Sequence, residues 1–258
     1  MEIHRAASLR IVVPRTRGGP HPARRFGNGL HWIHHHLNRL FLKFALKRFD
    51  LDATQELAGA LRKLTKLATS LLPKRVAEAV EREAAELRAV GSLTGAVGVG
   101  ERFPDFKLND QEGRPVALEK LLERGPAVVA FVRGGWCPRC NLQLRAMNRR
   151  LRELDLEGAS LVAVTPEAPD QFMSFRNVSP LDFPVLYDSH NGLAHRLRIV
   201  WQFGATLRQV VEHYLLDLTA HNRDASLELP IPAVYVVGRD RRVAYAYLVA
   251  DYQARLDL

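Results

Sequence analysis

The chain has 258 residues, of which 47% are hydrophobic, enough for one large domain or one domain with a sizeable extension. No stretch reaches the roughly 18 consecutive apolar residues of a transmembrane helix, and the N-terminus lacks the apolar core of a secretory signal, so a cytoplasmic location is expected. Ten of the 37 Lys and Arg residues and one of the 28 acids lie in residues 1–49, which therefore carry the whole net charge of +9. The neutral remainder gives no electrostatic indication of nucleic-acid binding.

Residues 1–49 form a basic arm that is expected to be partly disordered. Residues 1–27 are rich in Arg, Pro and Gly and have no hydrophobic period. Residues 28–48 place apolar side chains at helical spacing beside Lys and Arg, which predicts a basic amphipathic helix. Such a helix is expected either to dock on the rest of the protein, to serve in targeting, or to contact an anionic membrane surface.

Residues 50–96 predict a helical hairpin. Asp52 is a candidate N-cap for a first helix whose leucines, from Leu57 to Leu71, share one face. Pro73 is expected to open the second helix and Gly91 to end it. Nothing in this hairpin indicates chemistry.

Residues 97–258 change to a pattern of alternating strands and helices. "FKL" and "PVAL" flank the turn "NDQEG" and predict a strand hairpin. Continuous apolar runs predict buried strands at residues 127–132, at 160–164 and within "FPVLYD". Two further strands around a polar turn are predicted for "PAVYVVGRDRRVAYAYLVA". Helical stretches lie between the buried runs. The segment is therefore expected to form an α/β domain, a mixed sheet with helices on both faces.

The chain's two cysteines, Cys137 and Cys140, stand where the first buried run ends and a helix begins. One helical stripe holds Cys137, Cys140, Leu144, Met147, Leu151 and Leu154. The two sulfurs should therefore face the same side, near enough to close a disulfide. The unpaired N–H groups at the helix start and the charge of Arg139 favour a Cys137 thiolate, and Pro138 suits the first helical position. Cys140, one turn inside, is expected to be more buried and less acidic, which suits a resolving thiol.

Three other interpretations of the pair stay open at this point. Two small buried residues would explain Cys140 but not a cysteine at a helix start. A zinc site needs about four ligands, and the three consecutive histidines of the arm lie far upstream. Accidental proximity is the third alternative.

"WCPRC" after a buried strand resembles the thioredoxin active site, and "PIPAVYVV" resembles the cis-proline segment that faces the cysteines in thioredoxin-fold proteins. "GERFPDFKLNDQEGRPVAL" and "FPVLYDSHNGLAHRLRI" resemble instead the peroxiredoxin branch, the AhpC/TSA group. The segments "WCPRC", "PIPAVYVV" and the terminal "DYQAR" together resemble those of a peroxiredoxin-like group that has a W-C-P-x-C centre. The resemblance covers residues 97–258 and implies a thioredoxin-like α/β fold with an N-terminal helical extension.

The resemblance implies a thiol peroxidase or a thiol–disulfide oxidoreductase without a cofactor or a metal. Cys137 would attack a hydroperoxide and become a sulfenic acid, Cys140 would condense with it to a disulfide, and an external dithiol such as a thioredoxin would reduce the pair. The candidate substrate contacts are Trp136, Arg139 and the segment Ile231–Pro232, with Pro232 as the candidate cis-proline.

The motif departs from that of typical peroxiredoxins, P-x-x-x-T/S-x-x-C. Ala130 and Gly134 stand at the positions of the proline and the hydroxyl residue, and neither does that work. Arg133 or Arg139 is a candidate donor to the peroxide, and the alternative for each is a solvated arginine. Thiol–disulfide exchange without peroxidase activity therefore remains the alternative function. A redox-inert protein that binds a membrane or a partner through residues 28–48 is a second alternative.

Two further features are left unassigned. His190, His195, His213 and His221 are scattered, and none is singled out as a general base. Residues 200–229 are long for a connection in a thioredoxin-like domain and include a helical run. This stretch would either cover the active site or contact another subunit, and the oligomeric state is not predicted.

Overall fold

The computed structural model describes residues 57–71, 74–89, 93, 95–176, 180–202, 204, 208 and 217–256. The predicted arm at 1–49, with its amphipathic helix, lies outside these ranges, as do Asp52, Pro73 and Gly91. The division of the chain into arm, hairpin and redoxin domain stays a prediction. Within the described ranges, no helix is long and apolar enough to cross a membrane.

Seven α-helices are described, together with a 3-10 turn at Ser189–Asn191. The helices are α1 (Leu57–Leu71), α2 (Lys74–Ala89), α3 (Leu118–Arg124), α4 (Pro138–Leu156), α5 (Pro169–Arg176), α6 (Gly192–Leu197) and α7 (Leu218–Asn222). The strands are β1 (Lys107–Asn109), β2 (Pro115–Ala117), β3 (Ala127–Phe131), β4 (Ser160–Thr165), β5 (Val185–Tyr187), β6 (Val200–Gln202), β7 (Glu228–Pro230), β8 (Ala233–Val237) and β9 (Val243–Leu248).

A mixed sheet of seven strands, in the order β2-β1-β5-β4-β3-β8-β9, forms the centre of the described structure. The pairs β3–β4 and β4–β5 are parallel, whereas β8 runs antiparallel to both β3 and β9. Parallel neighbours require crossover connections, and α4 and α5 supply them. The predicted thioredoxin-like mixed sheet is confirmed.

Side chains of β3 alternate between two hydrophobic clusters, one on each face of the sheet. Val129 and Phe131 pack with α3 and α6 on one face, whereas Ala130 packs with α4 on the other. Strands covered on both faces lose contact with water along their whole length, which explains their nearly continuous apolar sequence. The predicted stripe of α4 is confirmed, since both cysteines and the apolar residues that follow them lie in this second cluster.

The two N-terminal helices pack against the domain through separate surfaces. Leu57, Ala60 and Leu64 of α1 pack against Leu142 and Ala146 of α4. Helix α2 instead places Ala84 in a cluster with residues of the second half of the chain. The leucine face predicted for α1 is therefore the face that covers α4.

A two-stranded antiparallel ribbon of β6 and β7 was not predicted from the sequence. Each strand has three residues, and Pro230 stands in one of them. Such short strands show no usable period, and their pairing joins distant parts of the chain. The helical run predicted between them falls mostly on residues that lie outside the described ranges.

Candidate active site

The turn between β3 and α4 requires a glycine and places Cys137 at the helix start. Gly134 has a φ of +150°, and a Cβ atom there would lie 2.4 Å from Nε1 of Trp136. Cys137 is the N-cap residue of α4, with extended backbone angles. The Asn141 side chain donates from Nδ2 to the carbonyl of Cys137 at 3.0 Å and also to the carbonyl of Gly135. One side chain of α4 thus fixes both ends of the turn.

Both cysteines are free thiols and both are 0% exposed. The expectation that Cys140 is the more buried of the two is therefore wrong, because other parts of the chain cover the helix start as well. Each sulfur accepts a hydrogen bond from an arginine: Nη2 of Arg133 lies 3.1 Å from Sγ of Cys137, and Nη2 of Arg255 lies 3.5 Å from Sγ of Cys140. The Arg133 and Arg255 side chains are themselves buried.

The two thiols differ in acidity. Burial by itself raises the pKa of Cys137. The hydrogen bond from the Cys140 thiol and the positive charges of Arg133 and Arg255 lower this pKa, and together they outweigh the effect of burial. The pKa of Cys137 therefore lies well below its ordinary value. Burial raises the pKa of Cys140 well above its ordinary value, and so does its neighbour Cys137. The sign of both shifts agrees with the sequence-based expectation of an acidic Cys137 and a less acidic Cys140.

Behind the turn lies a buried acid–histidine pair that the sequence analysis did not single out. Oε2 of Glu167 accepts a hydrogen bond from the backbone N–H of Gly135 at 2.6 Å, and Oε1 lies 2.7 Å from Nδ1 of His221. Burial raises the pKa of Glu167, which the contacts with His221 and Gly135 partly offset. Glu167 stands just after β4, at the carboxyl end of a central strand. That position was the one sequence signal that could have pointed to it.

The C-terminal residues 251–255 close the site from the other side. The Tyr252 ring stacks on Trp201 with centroids 5.6 Å apart, and the Arg133 guanidinium lies 4.6 Å from its centroid. The Tyr252 hydroxyl donates to the carbonyl of Val80 in α2 at 3.0 Å. With Arg255 against Cys140, this segment joins the cysteine pair to the second N-terminal helix, α2.

The predicted contact residues beside the cysteines lie in this enclosure. Arg139 donates from Nη2 to Oγ1 of Thr65 at 3.0 Å and to Oε1 of Gln253 at 3.1 Å, not to a sulfur. Trp136 is partly buried, and the Arg133 guanidinium lies 5.2 Å from its ring centroid. Arg139 therefore binds the N-terminal and C-terminal segments together, and Arg133 is the arginine of this turn that reaches a sulfur.

The peptide bond between Ile231 and Pro232 is trans, so the expected cis-proline is wrong. The chain passes with a two-residue link from β7 into β8, whose first residue, Ala233, pairs with Phe131. Such an extended path is compatible with the ordinary trans geometry. The Ile231 side chain is buried in the cluster that contains Tyr252 and Trp201, so it supports the covering segment.

Within the described ranges, no group of three or more His, Cys, Asp or Glu side chains could hold a metal ion. The groups nearest the reaction centre are two sulfurs and the arginine that donates to each of them, with the buried Glu167–His221 pair behind the turn. This arrangement can hold one thiolate beside one thiol.

Residues 99–246 match the model of the AhpC/TSA family, which is more than half of the chain. The chain belongs to the AhpC/TSA family.

Plant peroxiredoxins are among its curated relatives. The chain is 30% identical over 129 residues to the chloroplastic peroxiredoxin Q of Sedum lineare, an alignment that spans 49% of this chain and 67% of that protein. It is also 30% identical to the chloroplastic peroxiredoxin Q of Oryza sativa subsp. japonica over 48% of this chain and 57% of that one. Among solved structures, peroxidoxin BcpB from Mycobacterium tuberculosis is similar with a TM-score of 0.48 and 21% identity, over 61% of this chain and 91% of that one.

The family match contains Cys137, Cys140, Arg133, Glu167 and His221 but stops before the C-terminal segment. Helices α1 and α2 likewise lie outside it. Parts of this AhpC/TSA protein that flank the matched residues thus complete an enclosure to which Trp136, Trp201 and Ile231 of the matched region also contribute.

Proposed function

We propose that this protein is a thiol peroxidase that reduces hydroperoxides through a Cys137/Cys140 dithiol–disulfide couple. The observation that carries the proposal is the Cys137 thiol at the N-cap of α4, held at low pKa with an arginine 3.1 Å from its sulfur. A thiolate is the reactive form of cysteine toward peroxides, and a nearby resolving thiol is typical of redox cysteines. Membership of the AhpC/TSA family supports the same activity.

The reaction runs in three balanced steps. The Cys137 thiolate attacks one peroxide oxygen, the O–O bond breaks, and the alkoxide or hydroxide leaves and takes up a proton, so that Cys137 becomes a sulfenic acid. The Cys140 thiolate then attacks the Cys137 sulfur, the S–O bond breaks, and hydroxide leaves and takes up a proton. An external dithiol, for which a thioredoxin of the cytoplasm is the proposed source, returns two electrons to the disulfide by thiol–disulfide exchange.

Both sulfurs are fully buried, so a substrate reaches them only when covering residues move. Trp136 packs against the cluster that contains Cys137, and both Trp136 and Tyr252 lie against the Arg133 guanidinium that donates to its sulfur. We therefore place Trp136 at the entrance, as a contact for the substrate or the reductant.

The test is single-turnover mass spectrometry of the reduced protein after brief exposure to a stoichiometric hydroperoxide. We expect the wild type to lose two hydrogens, Cys140→Ser to gain one oxygen, and Cys137→Ser not to react. The serine variants are matched controls, because each replaces one sulfur by oxygen in the same place. Equal and mild effects of both substitutions would contradict the assigned roles.

A second candidate function is thiol–disulfide exchange without peroxidase activity. It is favoured by Gly134, which stands where typical peroxiredoxins carry a hydroxyl residue, and whose Cβ position is occupied by the Trp136 ring. In the same experiment, no reaction with hydroperoxide but prompt oxidation by a small disulfide would decide for this candidate. The redox-inert alternative would require that neither oxidant reacts.

A further inference from the structure

Arg255 reaches the site from outside the family match and touches the resolving sulfur. Its Nη2 lies 3.5 Å from Sγ of Cys140, 115 positions earlier in the chain. Its Nη1 donates to the carbonyls of Tyr252 and Ala254, and its Nε is buried without a hydrogen-bond partner. The side chain is only 7% exposed, so its charge acts in an interior of low dielectric.

In the part of the chain that the structure describes, no carboxylate forms an ion pair with Arg255. Among the described residues, the contacts of Arg255 are carbonyl oxygens and one sulfur, and those of Arg133 are a sulfur and aromatic rings. A buried guanidinium without an anionic partner is costly. Two guanidinium groups therefore share the one thiolate that the reduced site contains.

That thiolate changes place during the proposed reaction. In the reduced protein the negative charge is on Cys137, and this charge together with burial keeps Cys140 protonated. Once Cys137 has become a neutral sulfenic acid, its charge is gone, while Arg133 and Arg255 remain. Cys140 must lose its proton at this stage, because a thiolate and not a thiol attacks.

We propose that Arg255 is a catalytic residue of the resolving step, in which it stabilises the Cys140 thiolate that attacks the Cys137 sulfur. Before oxidation the two arginines stabilise a negative charge on the Cys137 sulfur. After oxidation of Cys137 they stabilise a negative charge on the Cys140 sulfur. The order of events follows, since Cys140 becomes nucleophilic after Cys137 has reacted. When a hydroperoxide is the oxidant, the role of Arg255 rests on the proposed function. When a disulfide is the oxidant, the role of Arg255 does not depend on the proposed function.

The test uses dithiodipyridine, an uncharged aromatic disulfide, and the full-length reduced protein. The Cys137 thiolate attacks it, one thiopyridone leaves, and a mixed disulfide forms. Cys140 then attacks the Cys137 sulfur of that mixed disulfide, the new S–S bond forms, and the second thiopyridone leaves. Stopped-flow absorbance records the two releases as separate phases, and only the second phase reports Cys140 as a nucleophile.

In Arg255→Met we expect the second phase to slow about tenfold to a hundredfold near neutral pH, the range expected for loss of a charge-assisted hydrogen bond. The first phase should change less, because Arg133 still donates to the Cys137 sulfur. The deficit should shrink as the pH is raised, because hydroxide then removes the Cys140 proton. Arg255→Lys, which keeps the charge, should give an intermediate second phase and serves as the test variant if Arg255→Met does not fold.

Arg88→Met is the matched control for loosening of the C-terminal segment. Arg88 forms an ion pair at 3.0 Å with Asp251 of that segment but touches neither sulfur, so both phases should remain as in the wild type. A second phase that is unchanged in Arg255→Met, an equal slowing of both phases, or the same selective loss in Arg88→Met would overturn the proposal.

A hydroperoxide series separates this proposal from the proposed function. If wild-type protein does not react with hydroperoxide while Arg255→Met still selectively slows the second phase with dithiodipyridine, the peroxidase assignment fails and the role of Arg255 stands. If hydroperoxide oxidises Cys137 in the wild type and in Arg255→Met, and the Cys137–Cys140 disulfide then forms equally fast in these two proteins, the role of Arg255 fails and the peroxidase assignment stands.

Discussion

The family-matched residues 99–246 and the segments that flank them contribute differently to the same site. The matched residues supply both sulfurs, the Arg133 that binds Cys137, and the carboxylate of Glu167 behind the turn. The flanking segments supply Tyr252, which covers Arg133, and Arg255, which binds Cys140.

The matched residues position Cys137, whereas the flanking segments cover the site and bring a second arginine to the pair. The position of Cys137 at the start of α4 follows from the central strand and the helix, both within the matched residues. The flanking segments pack over that helix start, where Arg139 of α4 donates to Thr65 of α1 and to Gln253 of the C-terminal segment. Variants in the two regions should therefore affect different properties.

The largest loss of stability is expected within the matched region, from Glu167→Ala. This substitution leaves the Gly135 N–H and the His221 ring without their buried partner, which should cost about 3–5 kcal/mol of unfolding free energy. Urea denaturation measures the loss. Glu167→Gln keeps an acceptor oxygen and should lose less. An ordinary hydrogen bond contributes about 1 kcal/mol to the free energy of unfolding. A smaller loss than this in Glu167→Ala would show that the Glu167–His221 pair does not stabilise the turn.

In the flanking region, Tyr252→Ala should open the site without removing its chemistry. Loss of a buried ring that stacks on Trp201 should cost about 3 kcal/mol and should speed alkylation of the cysteines by iodoacetamide. Tyr252→Phe, which removes only the bond to the Val80 carbonyl, should cost about 1 kcal/mol. If alkylation in Tyr252→Ala is no faster than in the wild type, the segment is not what limits access.

Gly134→Thr tests whether the matched region could accept the hydroxyl of typical peroxiredoxins. The new Cβ would meet Nε1 and Cδ1 of Trp136 at 2.4 and 2.6 Å, so the variant should lose about 1–3 kcal/mol, as overpacked sites do. The rate constant of Cys137 with hydroperoxide should not rise. Gly134→Ala is the control, since it adds the same clash without the hydroxyl. A faster and fully stable Gly134→Thr would be the contrary result.

A pH dependence of stability is also expected, and both regions contribute to it through Arg133 and Arg255. The pKa of Cys137 is lower in the folded than in the unfolded chain, so between these two values the folded state binds fewer protons. The ionised Cys137 should therefore stabilise the reduced protein fully above the unfolded pKa. This contribution should decrease as the pH is lowered across the window and should be lost once the pH has dropped through the folded pKa.

Urea unfolding of reduced wild type and Cys137→Ser over a series of pH values measures this dependence as a difference between the two proteins. In the folded protein Cys140 stays protonated across the window, because its pKa in the fold lies above the ordinary value. A difference that stays constant with pH would mean that Cys137 is not held as a thiolate.

Most of the central sheet could be predicted from the sequence because its signals are local. Continuous apolar runs marked β3, β4 and β5, and the spacing of apolar residues after Cys137 marked the buried stripe of α4. The position of the cysteine pair at a strand end and a helix start also followed from neighbouring residues. A cis peptide before Pro232 was expected from resemblance alone, and the structure has a trans peptide there.

The surroundings of the sulfurs were decided by tertiary structure. Glu167 and His221 are 54 positions apart, and Arg255 and Cys140 are 115 apart, so no local period relates them. The sequence by itself determined that both cysteines stand where a buried strand ends and a helix begins. Only the folded chain determined which charges stand beside each sulfur and that both sulfurs are covered, because electrostatic and packing energies depend on distances in space that the order of residues does not specify.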